Sequence, residues 1–152
     1  NPYFREAYFD LAKKFVVVNP VDIYMPDDMS WAMDYGDCAC PYCRKLDQEL
    51  TQLNDVTVHV FLFPILTADS LPKAKAVWCS ADRTKAWLDL MLKSTAPSAS
   101  GNCDTPIESL LAFGRKHKVE SVPTLVFTNG ERVSGLRPAA QLSQMIDAAA
   151  KK

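Results

Sequence analysis

The stretch YGDCACPYCRKL, from Tyr35 to Leu46, places three cysteines within six residues in the pattern C-x-C-x-x-C. A run rich in apolar residues, Trp31–Tyr35, precedes it and is a strand candidate. The residues after Cys40 favour a helix, with Pro41 in its first turn, where a missing N–H costs nothing. The second and third cysteines are therefore predicted to lie where a strand turns into a helix.

The whole chain alternates strands and helices in the order β-α-β, a helical block, then β-β-α. The predicted elements are a helix at 3–15, strands at 15–18 and 31–35, a helix at 40–53, a strand at 56–65, helices at 70–79, 81–93 and 105–117, a hairpin at 124–135 and a helix at 137–152. Asn129-Gly130 is the hairpin turn, and Thr105–Glu108 reads as a capping box. This order predicts an α/β fold with a parallel first half and an added antiparallel hairpin.

The bulk properties exclude several classes of protein. A chain of 152 residues is typical of a single domain with one core. Its net charge of -1 argues against an extended nucleic-acid surface, and no apolar run is long enough to predict a membrane span. The chain begins at Asn1 without Met, so we expect that a targeting segment or an N-terminal domain has been removed.

The five cysteines favour an oxidising compartment, because two of them, Cys79 and Cys103, lie far from the cluster. The count is odd, so at least one thiol is expected to be free or to pair with another molecule. Cys38 is the extra thiol of the cluster. It is either a functional group that competes for Cys40 or links two chains, or a free cysteine packed at the end of the strand.

The chemistry expected of Cys40 and Cys43 follows from the helix N-terminus. Unpaired N–H groups and the positive end of the helix dipole stabilise a thiolate there. We expect Cys40 to be the more exposed thiol and the nucleophile, and Cys43 to resolve the mixed disulfide from inside the helix.

The C-x-x-C at a strand-to-helix turn resembles the thioredoxin superfamily. The segment SVPTLVFTNGERVSG, Ser121–Gly135, resembles the cis-proline segment of that family, an X-Pro bond followed by the hairpin and the last helix. The resemblance implies that Pro123 is cis and faces the two cysteines. It also implies that the backbone of Val122 pairs with an extended substrate peptide.

Further stretches narrow this resemblance. CPYCRKLDQEL, VTVHVFLFPI, AKAVWCSADRTKAWLDLM, STAPSASGNCD and VPTLVFTNGERVSGLRP are similar, in order, to the catalytic domain of the periplasmic DsbC/DsbG disulfide isomerases. The resemblance covers about Trp31 to Lys152. It implies a thioredoxin-like domain at 31–152 with a helical insertion at about 69–117, after an N-terminal helix and linker at 1–30. It also implies a structural disulfide between Cys79 and Cys103.

The same resemblance implies a function. The chain would be a periplasmic thiol–disulfide oxidoreductase, an isomerase or reductase of cysteine-containing protein substrates, with no bound cofactor. A membrane or periplasmic redox partner would reset the dithiol. The family carries an N-terminal dimerisation domain, so a homodimer is expected if such a domain is missing from this chain.

Three features of the sequence depart from the DsbC pattern. The dipeptide Pro41-Tyr42 is that of DsbG and many glutaredoxins, and we expect both residues to contact substrate or set the redox poise. Val122 stands where DsbC has Thr and is closer to the oxidase DsbA. Asp34 falls where thioredoxin has its buried Asp, and such a desolvated acid can accept the proton of the resolving thiol. The alternative for Asp34 is a solvated carboxylate at the strand end.

Three other functions stay open on the sequence. A monomeric DsbA-like dithiol oxidase would use the same cysteines. A copper or zinc protein would use Cys38, Cys40 and Cys43 as thiolates, but a closed zinc site needs a fourth ligand and neither histidine lies near in sequence, so no metal is expected. A binding or chaperone module with an incidental dithiol is the third.

Overall fold

The structure, a computed structural model, describes residues 14–17, 19 and 30–150. These residues form a five-stranded sheet in the order β1-β3-β2-β4-β5. Its strands are β1 Phe15–Val17, β2 Trp31–Gly36, β3 Thr57–Leu62, β4 Thr124–Phe127 and β5 Arg132–Ser134. β3 pairs in parallel with β1 and β2, whereas β4 pairs antiparallel with β2 and β5. The predicted parallel first half and antiparallel hairpin are both confirmed.

Five helices accompany the sheet in this part of the chain: α1 Pro41–Leu50, α2 Ser70–Cys79, α3 Arg83–Lys93, α4 Ile107–Lys116 and α5 Ala139–Ala150. Each lies within a segment predicted to be helical, and α2–α4 form the predicted helical block between β3 and β4. The helix predicted at 3–15 lies outside the described residues except for its last two, and Phe15 belongs to β1. No helix among the residues described is both long and apolar enough to cross a membrane.

Four of the five helices begin or end inside their predicted bounds, and for two of them the hydrogen bonds at the helix end give the reason. α1 ends at Leu50 because the α-helical hydrogen bonds stop after that of the Thr51 N–H. The N–H groups of Gln52 and Leu53 bond to carbonyls three residues earlier and tighten the last turn. α3 begins at Arg83 because Asp82 is its N-cap residue, with Oδ1 accepting the Lys85 N–H at 3.0 Å.

The predicted capping box at Thr105–Glu108 is wrong. Pro106 is the N-cap residue of α4, and no side chain accepts a bond from the first turn. Thr105 therefore lies one residue too early to cap the helix, and Glu108 is the second helical residue instead of the third. Glu108 still places a negative charge at the positive end of the helix dipole, which stabilises the helix.

The turn between β4 and β5 is the predicted one. Gly130 has a φ of +84°, a left-handed conformation that glycine adopts without steric cost. Its N–H donates to the Phe127 carbonyl at 2.9 Å, and the Glu131 N–H donates to Asn129 Oδ1 at 2.9 Å. The Asn-Gly pair therefore fixes the register of the hairpin.

The core lies between the sheet and the helices packed on it. α1 packs against α3 and α5, α3 packs against β1, and α4 packs against β3. The approach of α4 depends on Gly114, where an added Cβ would lie 2.4 Å from the Phe63 ring. This packing holds the start of α1 against the ends of β2 and β3, where the cysteine cluster lies.

Candidate active site

The sulfur of Cys40 caps the N-terminus of α1. Cys40 is the N-cap residue, with an extended backbone, and its Sγ accepts the N–H of Cys43 at 3.1 Å. Pro41 occupies the next position, where no N–H is needed. A sulfur at this position faces the free N–H groups and the positive end of the helix dipole, the environment that stabilises a thiolate.

The expected difference in exposure between Cys40 and Cys43 is not found. Each side chain is 2% exposed, because the segment before β4 lies over Cys40. Burial raises the pKa of the Cys43 thiol, and the bond to Cys40 and the charge of Asp34 raise it further. Exposure therefore does not distinguish the two thiols, and the Cys43 thiol lies in surroundings that disfavour its thiolate.

Val122 and Pro123 lie beside Cys40, although they are about 80 residues away in sequence. The β2–β4 register pairs Tyr35 with Thr124, which places the residues before β4 next to the turn that follows β2. The Cys40 thiol donates to the Val122 carbonyl at 3.8 Å. The Val122–Pro123 peptide bond is cis, and Pro123 is buried.

Large apolar side chains are exposed on two segments next to the cysteine turn, the start of α1 and the loop after β3. Tyr42 is 60% exposed, and the Lys45 ammonium lies 5.9 Å from its ring centroid. Ile65 and Leu66, in the loop after β3, are the other large exposed apolar side chains among the residues described. Sequence reasoning singled out Tyr42 but neither of the other two.

Asp37 joins that loop to the cysteine turn, and sequence reasoning missed it. Its carboxylate is 1% exposed and accepts three backbone N–H groups, those of Ala39 at 2.9 Å, Ile65 at 2.8 Å and Leu66 at 2.9 Å. Its carbonyl accepts the Cys40 N–H at 3.1 Å. An acid directly after a strand and two residues before a small residue is the signal of such a turn.

Cys38 lies in the same turn but is buried away from solvent. Its thiol donates to the Ser70 carbonyl at 4.0 Å, and burial followed by the charge of Asp37 raises its pKa to about 11. Both features are those of an inert packed thiol. Within the described part of the chain, no three His, Cys, Asp or Glu side chains are grouped so that they could hold a metal ion.

Arg44, also missed from the sequence, ties the site to α3. Its Nε donates to the Cys38 carbonyl at 3.2 Å. Its Nη1 donates to the Leu90 carbonyl at 2.8 Å and to Ser94 Oγ at 3.1 Å. The first residue after the dithiol therefore fixes the cysteine turn to the helical insertion.

Asp34 lies in the core at the centre of β2, 1% exposed, so the alternative of a solvated strand-end carboxylate is wrong. Burial raises its pKa to about 7, and the interaction with Asp47 offsets part of the increase. Asp47 is a second buried acid on α1 that sequence reasoning did not identify.

Cys79 and Cys103 form a disulfide outside the dithiol site. It joins the end of α2 to the loop before α4, across 24 residues of chain. It therefore closes the helical insertion on itself and leaves Cys38, Cys40 and Cys43 as free thiols.

Most of the chain is similar in sequence to known proteins. Residues 27–150 match the family model described as a thioredoxin-like domain. The probable thiol:disulfide interchange protein DsbC of Bordetella avium (strain 197N) is 41% identical over 112 residues, which cover 74% of this chain and 40% of that protein. The thiol:disulfide interchange protein DsbC of Escherichia coli (strain K12) is 34% identical over 118 residues, covering 74% and 49%. The chain thus spans about half or less of the length of these curated relatives.

Solved structures give a similar result. A disulfide interchange protein from Neisseria gonorrhoeae has a TM-score of 0.77 and 34% identity, with 86% of this chain and 94% of that chain covered. The catalytic domain of Proteus mirabilis ScsC has a TM-score of 0.66 at 21% identity, with 97% and 99% covered. The second likeness concerns the fold alone.

Proposed function

Because the chain belongs to the thioredoxin-like family, with the predicted α/β fold and helical insertion, we propose that it is a thiol–disulfide oxidoreductase of cysteine-containing proteins. The reactive group is the Cys40–Cys43 dithiol. One observation carries the proposal: the Cys40 sulfur caps α1, with the Cys43 N–H at 3.1 Å and the Val122 carbonyl at 3.8 Å. These contacts support the proposal because they join the two thiols to the segment that we propose as the binding site for substrate backbone.

The reaction takes two exchanges. The Cys40 thiolate attacks a substrate disulfide, a mixed disulfide forms, and one substrate sulfur leaves as a thiolate. Cys43 then attacks Cys40 Sγ, which releases the second substrate sulfur and oxidises the dithiol by two electrons. Asp34 receives the proton of Cys43. In the reverse direction the Cys40–Cys43 disulfide oxidises a substrate dithiol.

The neighbouring residues position the substrate. The backbone of Val122 pairs with an extended substrate chain, and Pro123 lies beside it at the start of β4. Pro41 and Tyr42 separate the two cysteines and set the redox poise, for which a change of 30 mV corresponds to about 1.4 kcal/mol. Tyr42 is exposed, so in this proposal its side chain is free to contact the bound chain.

The physiological direction we propose is that of a disulfide isomerase or reductase. The names of the relatives in Bordetella avium and Escherichia coli, thiol:disulfide interchange protein DsbC, support it. Isomerases of this type benefit from two facing sites, so the proposal includes a homodimer of the full-length protein. A monomer active as an oxidase of reduced substrates would support the DsbA-like alternative.

The working compartment we propose is the bacterial periplasm, where a separate redox partner resets the dithiol. The disulfide between Cys79 and Cys103 supports it, because such bonds persist in oxidising compartments. We assign this disulfide a structural role, since closing a loop of that size stabilises the fold by about 3–4 kcal/mol on the chain-entropy model.

Trapping of the mixed disulfide tests the roles of the two cysteines. Cys43→Ser is expected to accumulate a lasting mixed disulfide between Cys40 and a disulfide-containing protein such as insulin, visible by non-reducing electrophoresis and intact mass. Cys40→Ser is expected to form none, and Cys38→Ser is the matched control. Equal trapping by Cys40→Ser and Cys43→Ser would contradict the assignment.

A further inference from the structure

Two buried carboxyls lie behind the dithiol. Asp34, on β2, is 1% exposed, and Asp47, on α1, is 0% exposed. Asp47 follows Cys43 by four residues, so the two side chains share one face of α1, the face that also buries Leu46 and Leu50. The charge of Asp34 acts on Cys43 and on Asp47. Two acids and the resolving thiol therefore form one buried group.

The carboxyls lack ordinary partners. Among the described residues, no N–H or hydroxyl group donates to Asp34 Oδ1 or to either oxygen of Asp47, and Nε1 of Trp87 has no acceptor with hydrogen-bond geometry. The neighbouring strands offer none, because Asp34 is flanked by Val60 on β3 and Leu125 on β4. Burying two adjacent unpaired negative charges is costly, so such pairs hold a shared proton.

We propose that Asp34 and Asp47 form a proton-sharing pair that receives the proton of Cys43 during resolution, with Asp47 as the protonated member that stabilises the Asp34 carboxylate. The inference rests on the proposed function, since it assigns the proton acceptor of the second exchange. Asp34 is the acceptor, and Asp47 is a positioning residue that acts through Asp34.

Protons and electrons balance in this step. The pair starts with one proton, on Asp47, and a carboxylate on Asp34. The Cys43 proton moves to Asp34, and the Cys43 thiolate forms a bond to Cys40 Sγ. The bond from Cys40 to the substrate sulfur breaks, and that sulfur leaves with the electron pair. The pair then holds two protons and returns one to solvent or to the departing thiolate.

The electrostatics match these roles. Burial raises the pKa of Asp34 to about 7, and Asp47 lowers it in part, as a donor to the carboxylate does. The pKa of Asp47 lies well above the ordinary range, first through burial and then through the charge of Asp34. Trp87 from α3 and Arg44 from α1 oppose that rise, and Cys40 and Cys43 complete the titratable groups that act here.

The test separates the two exchanges by rapid mixing with dithiobis-nitrobenzoate, which releases one coloured thiol at each exchange. A Cys38→Ala background leaves the dithiol as the only free cysteines. The first release reports attack by Cys40. The second release reports resolution by Cys43, and its rate does not depend on the concentration of the reagent. Absence of the first release would contradict the proposed function itself, whatever the carboxyls do.

Variants of Asp34 and Asp47 then test the roles of the two carboxyls. Asp34→Asn should leave the first release unchanged and slow the second by about 100-fold at neutral pH, since general base catalysis contributes 100-fold or more. In Asp47→Ala, the inflection in the plot of the second-release rate against pH should move to higher pH. Below that inflection, the rate should fall about tenfold for each pH unit by which the inflection moves. Asp47→Asn keeps a donor and should restore the wild-type profile.

Leu50→Ala controls for lost packing, because it opens a cavity in α1 without removing a carboxyl, and it should keep the wild-type pH profile. A wild-type profile for both Asp34→Asn and Asp47→Ala would overturn the proposal. An Asp47→Asn profile equal to that of Asp47→Ala would overturn the role of Asp47 as the protonated donor.

Discussion

Two buried acids, Asp34 and Asp37, lie three residues apart on the chain but have opposite hydrogen-bonding environments. In the cysteine turn, Asp37 accepts three backbone N–H groups. In the core behind the dithiol, Asp34 is equally buried but has an oxygen without a partner and a second acid beside it. A fully hydrogen-bonded carboxylate stabilises the turn that it joins, whereas two adjacent buried acids without such donors share a proton and can exchange one.

The largest effect is expected from Asp37→Ala, which leaves three backbone N–H groups without their acceptor. A buried donor left without its acceptor costs about 1–3 kcal/mol, and these three N–H groups are partly buried, so the variant should lose about 4–6 kcal/mol of unfolding free energy. Urea denaturation measures it. Asp37→Asn, which keeps one acceptor oxygen in its amide group, should lose roughly half as much unfolding free energy. A loss below about 1 kcal/mol for Asp37→Ala would contradict the structural role of Asp37.

The next effect is a pH dependence of stability caused by Asp34. Its pKa rises from 3.8 unfolded to about 7 folded, so between these values the folded state holds a proton that the unfolded state has lost. Asp34 should therefore lower the free energy of unfolding by at most about 4 kcal/mol as pH rises from about 4 to about 7. Asp47, whose pKa burial and the charge of Asp34 also raise, should add to this fall. Denaturant midpoints across pH measure this slope.

Asp34→Asn shows how much of the pH dependence comes from Asp34. It should reduce the slope to the part that Asp47 contributes, and it should be more stable than wild type at pH 7, because the amide cannot ionise. The matched variant Asp37→Asn should keep the slope while lowering the whole curve. Equal slopes in wild type and Asp34→Asn would show that Asp34 holds no proton near neutral pH.

The smallest effect is expected from Cys38→Ala. The thiol is buried against the Ser70 carbonyl, so its loss should cost about 1 kcal/mol of unfolding free energy through the small cavity it leaves. The rates of both exchanges should be unchanged. A slower exchange or the loss of a dimeric species under oxidising conditions would make Cys38 a functional thiol.

The sequence predicts the arrangement of the dithiol well, because its signals are local and strong. A cysteine before Pro41 at a strand-to-helix junction places Cys40 at a helix cap, and the Asn-Gly turn fixes β4 and β5. The order of the elements then brings the residues before β4 to the same edge of the sheet. The helix cap and the hairpin turn are both predictable because a few neighbouring residues determine the backbone conformation at each place.

The rest of the site escaped prediction because it depends on burial of polar side chains. Asp47 lies among polar neighbours in RKLDQEL, and only the helical spacing from Cys43 and Leu50 reveals that it shares the buried face. Arg44 and Asp37 bond to backbone groups far along the chain. The low exposure of Cys40 depends on the Val122 segment above it.

The redox function of the dithiol is best tested by intact-mass analysis after thiol alkylation, across a series of glutathione redox buffers. We expect two disulfides of different stability. The Cys40–Cys43 bond should open at an oxidising poise, near that of disulfide isomerases, while Cys79–Cys103 stays closed to a far more reducing one. A cluster that never forms a disulfide, or that retains the mass of a metal ion, would contradict the redox function.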